Sequence, residues 1–335
     1  MSEQNLQPFF IFGSPRSGTS LLSRMIDSHE HLVVPNESLI FKMFSSSLGS
    51  YGDLNNLANQ QELLKDILAT RVIQYWSPCP LFEEVAPLIK HPGFAGVVEA
   101  LICSRAPEKK LLAWGEKSPG HVFYWKEIKE AYPNAKVVHI VRDGRDVASS
   151  IINARMGPKT YFAAAKMWCD YLDGIEKIKQ DCPEDDFIEI RYEDLLSDPK
   201  GNLQKICTTL GVEYSEKMLK FFEKNASYQT DATNLENLNK PLIASNKEKW
   251  RKNLSDRDLQ EFETVAGRHL SSYGFEPANK LGVMPAYKLN VTRCIVSPSI
   301  RFLSRAKDTQ GQKEFLSLKI VQLKRKLSNV FGRTA

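Results

Sequence analysis

Nowhere in the 335 residues is there a run approaching the roughly 20 apolar side chains a membrane-crossing helix needs, and no such helix is expected. The opening MSEQNLQPFF has no basic segment leading into an apolar one, so no secretory signal peptide is expected. Cysteine is sparse: six residues, at 79, 103, 169, 182, 207 and 294, with no CxxC pair. They read as reduced, mostly structural thiols, consistent with a cytoplasmic location. The six histidines show no ligand spacing, and no metal is expected. No dense basic stripe precedes the C-terminal tail, and a formal net charge of +5 is too mild to argue for nucleic acid, although it suits an anionic ligand. Internal repeats are absent.

What is present is a composition of 42% hydrophobic, 25% charged and 10% aromatic residues, enough for a sizeable core in one large α/β domain, with or without an appendage. The organising stretch is 9–37, FFIFGSPRSGTSLLSRMIDSHEHLVVPNE. It reads as a strand at 9–12, a tight turn at 13–18 and a helix in which Leu21, Leu22, Met25 and Ile26 share one face. Thr19 and Ser20 are expected to cap that helix with their hydroxyls. Strand, glycine-containing turn and helix N-terminus together make an anion cradle, because backbone amides and the helix dipole converge there. Pro15 stiffens the turn, Gly18 permits close approach of a ligand, and Arg16 adds a forked cation suited to phosphate or sulfonate.

Further along, short strands are expected at 31–34, 111–114, 136–141 and 187–190, with helices at 122–132, after 142–146 through Ile152, and at 161–180, 199–210, 215–224 and 255–272. Ser255 and Asp258 form a plausible capping box for the last of these. Strands alternating with helices imply a parallel sheet with both faces covered, and ligands then bind beyond the strands' carboxyl ends. Charged clusters after strands, at Arg16, Glu37, Lys117, Arg142 and Tyr192, gather on that edge. Residues 39–110, with helical pieces at 61–75 and 94–105, are expected to be an insertion covering part of the site. From Lys280 the composition changes. Residues 312–331 place Leu316, Ile320, Leu323, Leu327 and Val330 on one stripe, with Lys319, Lys324, Arg325 and Lys326 among them. This stripe reads as a helix packed on its own domain or on a second subunit, or as a basic amphipathic helix resting on an anionic membrane. The division expected is a body at 1–280 and a basic extension at 281–335.

Gly13 and Gly18 are spaced as in a nucleoside-triphosphate loop, but Gly18 is followed by Thr19 where that loop needs a lysine. The cation sits early, at Arg16. In this form, PRSGTS resembles the 5′-phosphosulfate loop of sulfotransferases that use 3′-phosphoadenylyl sulfate (PAPS). A second signature of that family, an arginine ending a strand and a serine eight residues later, is matched by Arg142 and Ser150 in VVHIVRDGRDVASSI. The resemblance looks strongest to the subgroup that includes tyrosylprotein sulfotransferases and many bacterial relatives.

The resemblance implies a P-loop-like nucleotide-binding fold, PAPS as donor and adenosine 3′,5′-bisphosphate (PAP) as product. It implies Glu37 as general base, Lys117 in GEKSP steadying the sulfonate, and Arg16 in both catalysis and cofactor binding. Ser17, Gly18, Thr19, Ser20, Arg142, Ser150, Tyr192 in RYEDL and Lys249 are implied as the other cofactor contacts. The acceptor would carry a hydroxyl, on a sugar, metabolite, lipid head group or peptide tyrosine. Two positions depart from the subgroup: Ala154, with Arg155 beside it, stands where an arginine is expected, and Asn234 stands where a late serine is expected. Outside the resemblance, Glu37 would be an ordinary solvated loop residue, and Tyr192 would simply pack under the sheet edge. His29, His31 and His139 read as structural. Two alternatives stay open: a phosphoryl-transferring nucleotide enzyme with Asp143 as a magnesium-binding aspartate, and a non-catalytic protein that keeps the nucleotide cradle.

Overall fold

The computed structural model of the chain describes residues 6–154, 157–223 and 236–296. The expectations placed on Arg155, Asn234 and the 312–331 stripe lie outside the described residues. Five strands, β1 (Gln7–Phe12), β2 (Leu32–Val33), β3 (Ala113–Glu116), β4 (Lys136–Val141) and β5 (Phe187–Arg191), form one sheet in the order β2-β3-β1-β4-β5. Every pairing is parallel, as the strand–helix alternation predicts.

β1 shows why the sheet is covered on both faces. Its side chains alternate, and both sets are buried: Phe10 and Phe12 join Trp114 and Val137 on one face, Phe9 and Ile11 join Ala113 and Val138 on the other. The first face is covered by the 39–110 region, whose Ile40, Phe41, Leu63, Leu64, Val97 and Leu101 belong to the same core cluster. The second is covered by the helix α1 (Thr19–Asp27) and by the Pro199–Leu210 helix. A third cluster joins Val141 to the Gly144–Ile152, Tyr161–Asp181 and Asp256–Ser272 helices. The last begins with the expected capping box, Ser255 with Asp258. Among the described residues no helix is long and apolar enough to cross a membrane.

Four expectations shift. The strand placed at 111–114 lies at Ala113–Glu116, because Leu112 donates its amide to the His31 carbonyl outside the ladder, and polar Glu116 is buried by partners distant in sequence. The 122–132 helix starts as a 3₁₀ turn at Pro119–Tyr124 before becoming α-helical at Trp125–Ala131, and the 215–224 helix is only a 3₁₀ turn at Glu216–Lys220. Thr19 and Ser20 do not cap α1. Its N-cap is Gly18, which makes no side-chain cap bond.

Candidate active site

That missing cap has a chemical consequence. Among the described residues, the amides of Thr19, Ser20 and Leu21 have no hydrogen-bond partner, so the positive end of α1 is open to an anion. The turn before it holds two residues in left-handed backbone, Arg16 at φ 74° and Gly18 at φ 95°. For Arg16 this costs on the order of 1 kcal/mol and persists only where neighbours fix the residue on several sides. They do: Arg16 Nε donates to Ser150 Oγ at 2.9 Å, and its carbonyl accepts from Arg142 Nη1 at 3.3 Å. At Gly18 a Cβ would lie 2.4 Å from the Tyr192 ring, so the loop rests directly on that tyrosine.

β4 delivers Arg142, and β5 delivers Tyr192. Arg142 lies 4.5 Å above the Tyr192 ring centroid. Its Nη2 donates to Asp146 Oδ2 at 3.3 Å and to the Asn246 carbonyl at 3.1 Å, and its buried Nε has no partner among the described residues. These bonds are longer than the roughly 2.7–2.9 Å of a strong charge-assisted pair, so the guanidinium retains unused donor capacity. Burial and the neighbouring Arg142 cation lower the pKa of the Arg16 guanidinium. The half-buried Arg16 and the buried Arg142, set side by side, make this position favourable for an anion. Tyr192 is itself buried, which raises its phenol pKa, and its hydroxyl accepts from Asn246 Nδ2 at 2.7 Å.

These groups surround a cavity of about 430 Å³. Of the residues expected to bind the cofactor, Arg16, Gly18, Thr19, Ser20, Arg142, Ser150, Tyr192 and Lys249 line it. Ser17 does not: its amide and hydroxyl both turn back to Ser14. Arg142 holds the Arg16 carbonyl and Ser150 holds the Arg16 side chain, so the two arginines are tied together along the cavity wall.

Glu37 and Lys117, from the ends of β2 and β3, do not line the cavity but meet at its Ser20 edge. Lys117 Nζ lies 2.8 Å from Glu37 Oε1 and donates to Ser20 Oγ at 3.2 Å. Lys117 is buried, whereas the Glu37 side chain is 42% exposed and faces open space. Trp76, from the 39–110 region, donates its indole N–H to the Glu37 carbonyl at 3.1 Å. Asp143 is fully engaged elsewhere: it caps the Gly144–Ile152 helix and takes a forked bond from Arg145, at 2.9 Å from Nε and 2.8 Å from Nη2. That engagement, and its place outside the cavity lining, leave the phosphoryl-transfer alternative without its magnesium ligand.

Sequence reasoning missed Ser149, Asn246, Asn253 and the apolar wall of Leu196, Phe221 and Ile243. Asn246 sits three residues before Lys249, but no local pattern announces its bond to Tyr192, 54 positions away.

The Sulfotransferase family model matches residues 8–216. Protein-tyrosine sulfotransferase A of Caenorhabditis elegans is 22% identical over 286 residues, covering 81% of this chain and 68% of that protein. The omega-hydroxy-beta-dihydromenaquinone-9 sulfotransferase Stf3 of Mycobacterium bovis is 30% identical over 135 residues, which span 36% of this chain and only 35% of that relative. The solved sulfotransferase domain from the curacin biosynthetic pathway superposes with a TM-score of 0.59 at 20% identity, covering 82% of this chain and 100% of that domain, and shows a shared fold. The chain belongs to the sulfotransferase family.

Proposed function

We propose that this chain moves a sulfuryl group from PAPS to a hydroxyl-bearing acceptor. The observation that carries the reading is the Arg142 guanidinium, with its unpartnered buried Nε. It shares one cavity with Arg16, Ser150 and the open end of α1, a single side chain away from the Glu37–Lys117 pair. The residues present fit a doubly phosphorylated adenosine. Arg142, Ser150 and Lys249 would hold the 3′-phosphate end, and Tyr192 with the apolar wall would hold the base. Arg16 and the amides of Thr19 and Ser20 would hold the 5′-phosphosulfate.

Bound there, PAPS supplies an activated sulfur whose bond to the phosphate oxygen breaks, with the electron pair staying on the phosphate, as the acceptor oxygen bonds to sulfur. The protein's part is proton handling and fixed charge. Glu37, half-exposed at the mouth, accepts the acceptor's hydroxyl proton. Lys117 and the α1 amides offset the negative charge that builds on the sulfonate and the leaving phosphate. Lys117 is already held at Ser20, so no reorganisation is required when charge develops. The relatives named for protein tyrosine and for an omega-hydroxy menaquinone both point to an acceptor hydroxyl. Trp76 against the Glu37 carbonyl supports the 39–110 region as a wall of the acceptor side.

Titration calorimetry tests the reading: PAP binds in the absence of metal, and Mg-ATP competes poorly. Tight binding of Mg-ATP alone would overturn it. Glu37→Gln keeps PAP affinity within about twofold and lowers turnover about 10²-fold or more, the scale of a lost general base. Unchanged turnover removes Glu37 from that role.

A further inference from the structure

Behind the Glu37–Lys117 pair lies a buried polar cluster that lines no part of the cavity. Glu116, at the end of β3, is 1% exposed, and Ser38, Ser118 and His121 are equally buried. Glu116 Oε1 accepts from Ser38 Oγ at 2.7 Å and from Ser118 Oγ at 2.6 Å, and Oε2 accepts from His121 Nδ1 at 2.8 Å. The two serine oxygens in turn accept backbone amides: Ser118 Oγ from Ser38 at 3.2 Å and Leu39 at 3.1 Å, and Ser38 Oγ from Ile40 at 3.2 Å. The bonds through the two serines therefore run from amide to hydroxyl to carboxylate, and the Ser38 amide also reaches Glu116 Oε1 directly at 3.4 Å. Only an acceptor without protons of its own can terminate both chains.

The position of the cluster in the sequence gives it a role. Ser38 follows Glu37, and Lys117 lies between Glu116 and Ser118. β2 contributes only two residues to the sheet, so the ladder does little to fix the loop that follows it. Leu39 in that loop holds left-handed backbone at φ 53°, which an unbranched loop would relax unless held. The bonds to Ser118 and Glu116 hold it.

We infer that Glu116 is a positioning residue for transfer: through Ser38 and Ser118 it staples the end of β3 to the loop after β2, and so sets Glu37 against Lys117. His121 braces the carboxylate from the far side. The inference rests on the sulfuryl-transfer reading for its kinetic test, but the staple itself is measured separately.

Turnover of PAPS is followed with water as the acceptor, giving sulfate and PAP, alongside PAP binding by calorimetry. Ser38→Ala removes one arm of the staple and touches nothing in the Arg16–Arg142 cavity. It lowers kcat about tenfold or more while the Kd for PAP stays within about twofold. In a Lys117→Ala background the same substitution changes kcat less than about twofold, because the pair it aligns is already gone. A readout without turnover is acylation of the Lys117 amine by an N-hydroxysuccinimide ester, followed by peptide mass spectrometry. It runs at least about threefold faster in Ser38→Ala, since the Lys117–Glu37 pair opens more often and frees the buried amine. Ser118→Ala reproduces all three results, which separates the staple from a folding defect peculiar to one variant. Additive losses in the double variant, an equal loss of PAP affinity and kcat, or unchanged acylation would each overturn the inference. A wild-type chain that binds no PAP fails the transfer reading alone, and Lys117 acylation still decides the staple.

Discussion

At the level of single residues, the loop from Gly13 to Gly18 combines local strain with distant support. Its anion-binding character was legible from PRSGTS, because a turn with an early arginine before a helix has few other uses. What supports it was not. The ring beneath Gly18 belongs to Tyr192, and the hydroxyl that orients Arg16 belongs to Ser150, 134 positions away. Gly18→Ala therefore meets two obstacles, a left-handed φ of 95° and a ring atom at 2.4 Å. The expected result is a loss of at least about tenfold in PAP affinity by calorimetry, with a lower melting temperature, from roughly 1 kcal/mol or more of backbone strain plus displacement of the tyrosine. Full PAP affinity in that variant would show that Tyr192 is not the floor of the site.

Among the elements, the Gly144–Ile152 helix connects site to scaffold. Asp146 accepts from Arg142 on the site side and from the Trp250 amide on the other, which ties the Lys249 segment to the cavity. Arg145 faces away from the site. It bonds Asp143, Glu263 at 2.8 Å and the Glu276 carbonyl at 2.9 Å, with its guanidinium 3.9 Å from the Trp250 ring centroid. Although burial lowers the pKa of this guanidinium, the bonds to Asp143 and the attraction of both carboxylates raise it overall. Arg145→Ala strands two buried carboxylates, and an unfolding free energy lower by about 3–5 kcal/mol is expected in urea titration. RDGRD had placed Asp143 beside Arg142 as a strand-end cluster. The sequence could not show that Asp143 turns to Arg145, because the decision depends on Glu263 in a helix 118 residues further on.

At the scale of the whole molecule, the buried Glu116 cluster ties the end of β3 to the loop after β2, and this gives acid stability a specific component. Burial alone would raise the carboxyl pKa, but His121, Ser118 and Ser38 outweigh it and hold the group down at about 2, against an ordinary 4.5. A pKa depressed by folding stabilises the native state above the unfolded value, and that stability is lost as pH falls through the folded value. The window therefore runs from about 4.5 down to about 2. Urea unfolding of the wild type and Glu116→Gln should show the wild type more stable at pH 6, with the gap narrowing as pH falls through that window. A gap independent of pH would mean that the charge of Glu116 contributes nothing.

The chain's order of apolar runs and turn residues by itself determined the parallel sheet, the helix after the first strand and the anion-binding turn. These depend on periodicity and backbone preference within about thirty residues. It also carried Arg142, Glu37 and Lys117 as candidates, because each follows a strand on the edge where a parallel sheet gathers its loops, and Ser150 through its spacing from Arg142 in the family signature. Only the tertiary structure decided which of these touch. It joined Arg16 to Ser150, left Ser17 facing inward, took Asp143 out of the site and placed a buried carboxylate behind the Glu37–Lys117 pair. Partner choice among buried charges is settled by packing between elements far apart in sequence, where desolvation makes an unpaired charge costly.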